Sequence, residues 1–254
     1  AMGASGDRLY PARQGLAACQ AADGSVPIGA AHPGSVWPTP LAVLAWHGAA
    51  PFADARAKAV AFLLDSGGVT WERRPDEAEM AVDPRIRGWA WAKGTFSWVE
   101  PTALAMMALG SEGHSGHERV REAVAVLRDR QVSTGGWNVG STRVFREEQG
   151  ALPEMTGMAL AAMRGHVRRD DVARAIAYLS GVAGRHKTPL ALGWCLLGLA
   201  AWGEAPDAGQ AWIDGCLDRQ DFFGPYETSQ LALLALAALA HDGDVGLLLS
   251  GGAT

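Results

Sequence analysis

The 254-residue chain has almost none of the features that mark a sheet protein, a nucleic-acid binder, a disulfide scaffold or a membrane span. Stretches that alternate apolar and polar side chains are nearly absent, which excludes a sheet as the main architecture. Only three cysteines occur, Cys19, Cys195 and Cys216. They form an odd set without scaffold spacing, inside helix-patterned segments, and predict free thiols in a reducing compartment, by default the cytoplasm. There is no basic run, and 22 basic against 27 acidic residues give a net charge of −5. That balance argues against nucleic acid as a partner. The most apolar stretches, 189–202 and 231–240, are too short to cross a bilayer. Residues 1–6 lack the basic start and apolar core of a signal peptide.

What the chain has instead is an internal repeat. Gln20, Gly24 and Val26, then Gln131, Gly135 and Trp137, then Gln220, Gly224 and Tyr226 share the spacing Gln-x-x-x-Gly-x-(large side chain), each at the end of a helix-patterned stretch. A second pattern follows these turns. Trp37, Glu100, Glu154, His186 and Glu227 each stand two places before a hydroxyl residue (Thr39, Thr102, Thr156, Thr188 and Ser229), and an apolar run comes next. The five copies are unevenly spaced, so the long gaps hold insertions, where function is commonly grafted.

Two kinds of helix alternate between the turns. Segments 8–19, 53–65, 118–131, 170–179 and 208–220 carry apolar residues at three- and four-residue spacing with charges between them, the pattern of a helix half in water. Segments 190–202 and 231–240 carry almost no charge on any side and must be surrounded by protein. Outer amphipathic and inner apolar helices in series predict an all-α fold, an α/α toroid of about five helical hairpins, as a single domain over 1–254. At the turns, a Gln suits the backbone groups left free at a helix end, and Gly permits the tight turn after it.

The strings around Gln131–Trp137 and Gln220–Tyr226 resemble the QW repeat of squalene and oxidosqualene cyclases, and the related repeat of protein prenyltransferase β subunits. The resemblance spans nearly the whole chain through its first and last copies, but the second and fourth turns keep only traces of it. It implies a terpene-cyclase-like or prenyl-processing enzyme with an apolar, isoprenoid-like substrate in a central cavity. It also implies a peripheral membrane contact as one possibility, because related cyclases draw substrates from membranes. The catalytic strings of these families are missing. An Asp-x-Asp-Asp acid motif has only distant echoes in Asp170-Asp171 and in Asp242-Gly-Asp244. Asp214-Gly-Cys216 spells part of a zinc site but falls on an outer helix. No metal ligand set or cofactor is assigned.

In a toroid the inner helices begin at one mouth of the cavity, so Glu100, Glu154, Glu227 and His186 are expected to converge there as a ring that handles charge or protons. Carboxylates in a first helical turn are also favoured simply by the helix dipole, by about 0.3–1 kcal/mol. Ten tryptophans are present. Trp37, on the ring, and Trp89, Trp91 and Trp98, which lead into Glu100, are expected to contact substrate, since aromatic faces stabilise cations by about 0.5–2 kcal/mol each. Insertions 67–97 and 138–152 are candidate lids. Two rivals stand beside the enzyme reading: a non-catalytic scaffold that binds a protein, and a carbohydrate-active toroid using two glutamates as acid and base. An open apolar cavity favours the first reading, a filled one the scaffold, and an open polar groove the third.

Overall fold

A computed structural model describes residues 6–74 and 81–241. Asp242 and Asp244 lie outside the described residues. The chain folds into an all-α toroid of helical hairpins. Helices α1 (Gly6–Ala18) and α2 (Thr39–Trp46) form the first pair, and α3 (Ala53–Asp65) and α4 (Val99–Ser111) the second. Helix α5 (Glu118–Asp129) leads through a small hairpin, β1 (Arg143–Val144) with β2 (Glu147–Glu148), to α6 (Pro153–Met163). Helices α7 (Arg169–Val182) and α8 (Pro189–Ala200) come next, then α9 (Gly209–Leu217), the one-turn α10 (Gln220–Phe223) and α11 (Thr228–His241).

The odd-numbered helices α1 to α9 form the outer layer. In α5, Arg119, Val120, Ala123, Val126 and Leu127 are buried, a stripe at three- and four-residue spacing that follows from the amphipathic pattern. The inner layer is α2, α4, α6, α8 and α11, each packed on the next. Helix α4 is buried from Pro101 to Gly110, and most of α8 is buried likewise, as helices without charge require. Glycines set the close spacing. A Cβ on Gly157 of α6 would lie 2.1 Å from the Trp194 carbonyl oxygen of α8, and one on Gly193 would lie 2.6 Å from Leu233 of α11.

The repeated turns have a common geometry. Gly24, Gly135 and Gly224 all take positive φ, near 90°, a conformation open to glycine. Gln131 donates through Nε2 to the Gly135 carbonyl at 2.6 Å, and Gln20 to Gly24 at 3.0 Å and onward to Ala55 of α3 at 2.8 Å. The Trp137 indole is fully buried and donates to the Leu127 carbonyl. Gln220 works differently: its Oε1 accepts from the Tyr226 amide, and its Nε2 reaches Leu217. The fifth outer helix therefore stops at Leu217, short of residue 220.

Three of the threonines two places after the ring positions tie the turn before them to its inner helix. Thr39 Oγ1 accepts the Val26 amide at 2.9 Å, Thr102 the Trp89 amide at 3.0 Å and Thr156 the Trp137 amide at 2.9 Å. Val26 and Trp137 are the large residues of their turn motifs, so Trp89 is their counterpart in the second repeat. Its indole N–H confirms the equivalence by donating to Leu63 near the end of α3, as Trp137 does to Leu127 near the end of α5. The insertion between α3 and Trp89 hides this motif in the sequence. Trp89 is buried, with the Arg119 guanidinium 4.2 Å from its ring. It packs the repeat and lies outside the lining of the central cavity.

Trp89→Ala and Trp137→Ala should therefore lower unfolding free energy in urea by similar amounts, roughly 3–5 kcal/mol. A harmless Trp89→Ala would contradict the equivalence.

Candidate functional site

A cavity of about 340 Å³ lies among the inner helices. Its walls repeat a helical spacing. Trp37, Leu41 and Leu44 come from the α2 side, and Glu100, Leu104 and Met107 from α4. Met158 of α6 and Leu190 and Trp194 of α8 continue the wall, and α11 adds Ser229, Gln230, Ala232, Leu233 and Leu236. Positions four and seven residues apart share a helix face, and seven residues advance about 10 Å. Polar groups are thus confined to the end where the inner helices start, and every lining residue deeper in is apolar. Leu41 and Leu190 are both exposed and cavity-lining, so the space opens at that end.

Among the described residues, Glu100 is the sole ionisable side chain in this lining. Its Oε2 accepts the Trp91 indole N–H at 2.9 Å, and no other hydrogen bond reaches the carboxylate among the described residues. Gln230 uses its Oε1 to accept the Glu227 amide at 2.9 Å, leaving its amide N–H₂ at the rim of the cavity.

Of the expected ring, Glu100 and Trp37 line the cavity, whereas Glu154, His186 and Glu227 do not. Partly buried Glu154 sits near Tyr178 and Cys195. Burial, then the Glu154 charge, pushes the Cys195 thiol up to about 12. His186 ends a short turn (Ala183–Arg185) four residues before the lining Leu190. Glu227 is exposed just before α11 begins. On α6 and α8 the same faces turn inward one helical turn further along, at Met158, Leu190 and Trp194, and on α11 the inward face is shifted by one residue. Trp91 and Trp98 are also outside the lining: their rings stack, with centroids 5.2 Å apart and planes 19° apart, behind Glu100.

The sequence reading assigned no site role to Ser229, Gln230 or the apolar wall. Stepping four and seven residues on from Trp37 and Glu100 would have found Leu41, Leu44, Leu104 and Met107.

Exposed apolar side chains are distributed unevenly. Apart from Leu9 and Tyr10 on α1, every large one among the described residues lies on an outer-to-inner connection or in the first turn of an inner helix. Phe145 on the small hairpin and Phe222 and Phe223 on α10 protrude most. The inner-to-outer connections, at the opposite end, have none. Among the described residues, no helix is long and apolar enough to cross a membrane, and no cluster of side chains could hold a metal ion.

Fold and cavity together define an α/α toroid with an apolar central chamber and one carboxylate at its rim. Among solved structures, the chain is similar to a variant of the type II terpene cyclase MstE from Scytonema, in complex with its substrate geranylgeranyl dihydroxybenzoate. The identity is 17% and the TM-score 0.60, over 96% of this chain and 78% of that one. At this identity the likeness shows the fold alone. No family model and no curated protein matches the chain.

The cavity predicts that Ala232→Trp, which adds an indole at an exposed, cavity-lining position, abolishes uptake of an apolar fluorescent probe and leaves the melting temperature unchanged. Undiminished uptake would place the probe elsewhere.

Proposed function

We propose that the chain is a terpene-cyclase-like enzyme that takes an uncharged isoprenoid into the central cavity and cyclises it by proton transfer with Glu100. One observation carries this reading: among the described residues, a single carboxylate stands at a rim shared with Ser229 and Gln230, and the lining deeper in is apolar. A protonated carboxyl there can add its proton to a carbon–carbon double bond. The double bond's electron pair forms the new C–H bond, and a cation is left on the neighbouring carbon. Attack by a second double bond closes a ring, and loss of a proton completes the reaction. One proton enters and one leaves, so the product is an isomer and no redox partner is needed. The indole faces of Trp37 and Trp194, both cavity-lining, suit the cation by about 0.5–2 kcal/mol each. Glu154, His186 and Glu227 take no part.

The ligand is uncharged because, among the described residues, the lining holds no Lys, Arg or His to meet a diphosphate, and a diphosphate would face Glu100. An open apolar chamber also speaks against the filled core of a pure scaffold and against a sugar groove. The apolar side chains that protrude at the cavity end suit contact with a lipid surface, from which such a ligand would enter.

With geranylgeranyl dihydroxybenzoate as a probe, the protein should yield a product of unchanged mass and altered chromatographic retention. Glu100→Gln should slow that conversion by about 10²-fold or more and still bind. Farnesol should raise the melting temperature more than farnesyl diphosphate does; the reverse order would overturn the uncharged-ligand reading. Flotation with neutral lipid vesicles should weaken when Phe145, Phe222 and Phe223 are changed to Ser, and unchanged flotation would remove the membrane route.

A further inference from the structure

Trp91 holds two walls of the cavity at once. Its carbonyl oxygen accepts the Val36 amide at 2.9 Å and the Trp37 amide at 3.3 Å, fixing the start of α2. Its indole N–H donates to Glu100 in the first turn of α4. The ring itself is held from behind by a chain of contacts. Trp98 stacks on it, Phe96 meets Trp98 edge-on at 6.2 Å, and the Arg130 guanidinium lies 4.6 Å from Phe96. Arg130 is fully buried and paired with Asp129 through one nitrogen at 2.9 Å. Among the described residues, its Nε and Nη2 have no hydrogen-bond partner. This is an expensive arrangement to keep where a hydrocarbon side chain would pack, and its effect is a rigid aromatic stack that ends on the cavity carboxylate.

We infer that Trp91 is a positioning residue: it acts on the ligand through Glu100 and does not touch the ligand itself. The inference rests on the reading of Glu100 as the proton-transfer group. Of the carboxylate's two oxygens, Oε2 is committed to the indole, so Oε1 is the one left for the ligand. An untethered carboxylate on a flexible Glu side chain would sample several rotamers, and only some would aim an oxygen at a double bond. The tether narrows that set. Because Trp91 lies outside the lining, removing its N–H changes the aim of Glu100 without changing the shape of the chamber.

Trp91→Phe keeps an aromatic ring to stack on Trp98, and keeps the backbone carbonyl that holds Val36 and Trp37. It removes only the indole donor and part of the ring. The variant should bind farnesol within about twofold of the parent, and kcat for the prenylated probe should fall about 10- to 100-fold with KM little changed. A second readout needs no turnover. In a ¹H–¹⁵N spectrum, the indole resonance that vanishes in Trp91→Phe should be the one that moves most in Glu100→Gln. If that resonance ignores Glu100→Gln, the hydrogen bond does not exist in solution and the inference is wrong whatever the activity. An active parent whose Trp91→Phe variant keeps its kcat, or loses affinity in place of kcat, removes the positioning role alone. A parent that turns over no prenylated probe, with the resonance still tracking Glu100, removes the enzymatic reading and the positioning role together.

Discussion

Three buried threonine hydroxyls set the register of the inner layer. A buried backbone N–H without a partner costs about 1–3 kcal/mol, and the tight turns that deliver the chain from outer to inner helix would leave such groups at Val26, Trp89 and Trp137. Thr39, Thr102 and Thr156 accept them, and all three are completely buried. Each bond fixes how far its inner helix is advanced relative to the turn before it. Because Glu100 stands two residues before Thr102, the same bond that satisfies Trp89 holds the carboxylate at the end of the chamber.

The helical order of the chain was legible because burial repeats along it. Charge-free stretches became α8 and α11, and mixed stretches became the outer helices, with bounds that differ most at α7, α9 and α11. The rim was legible only in part. Equivalence among Trp37, Glu100, Glu154, His186 and Glu227 reports height along the toroid axis. It does not report where along each helix the cavity begins, nor a one-residue offset such as that on α11, which is about 100° of rotation. Glu154 sits by Tyr178 and Cys195 although Met158, one turn on and on the same face, lines the cavity. Trp89 shows a different loss. Its role as the aromatic of the second repeat depends on bonds to Leu63 and Thr102, which the long insertion separates from any recognisable spacing.

The fold uses its aromatic residues in two ways that composition cannot separate. Trp89 and Trp137 are packing elements whose indole N–H groups end on backbone carbonyls of the preceding outer helix. Trp91 and Trp98 form a stack in which the Trp91 indole N–H ends on a carboxylate. The identity of the acceptor distinguishes the groups: a backbone carbonyl in one, an ionisable side chain that lines the chamber in the other. The exposed phenylalanines belong to neither group. Their confinement to the end where the cavity opens ties the surface of the protein to its interior.

The central claim is that Glu100 exchanges a proton with an uncharged isoprenoid inside the toroid. Its most direct test is the reaction run in deuterium oxide, followed by mass spectrometry of the cyclised product. The account predicts one deuterium at the carbon protonated first, because a carboxyl at the open rim equilibrates with solvent between turnovers. A cyclised product formed in deuterium oxide without deuterium at that carbon would contradict it.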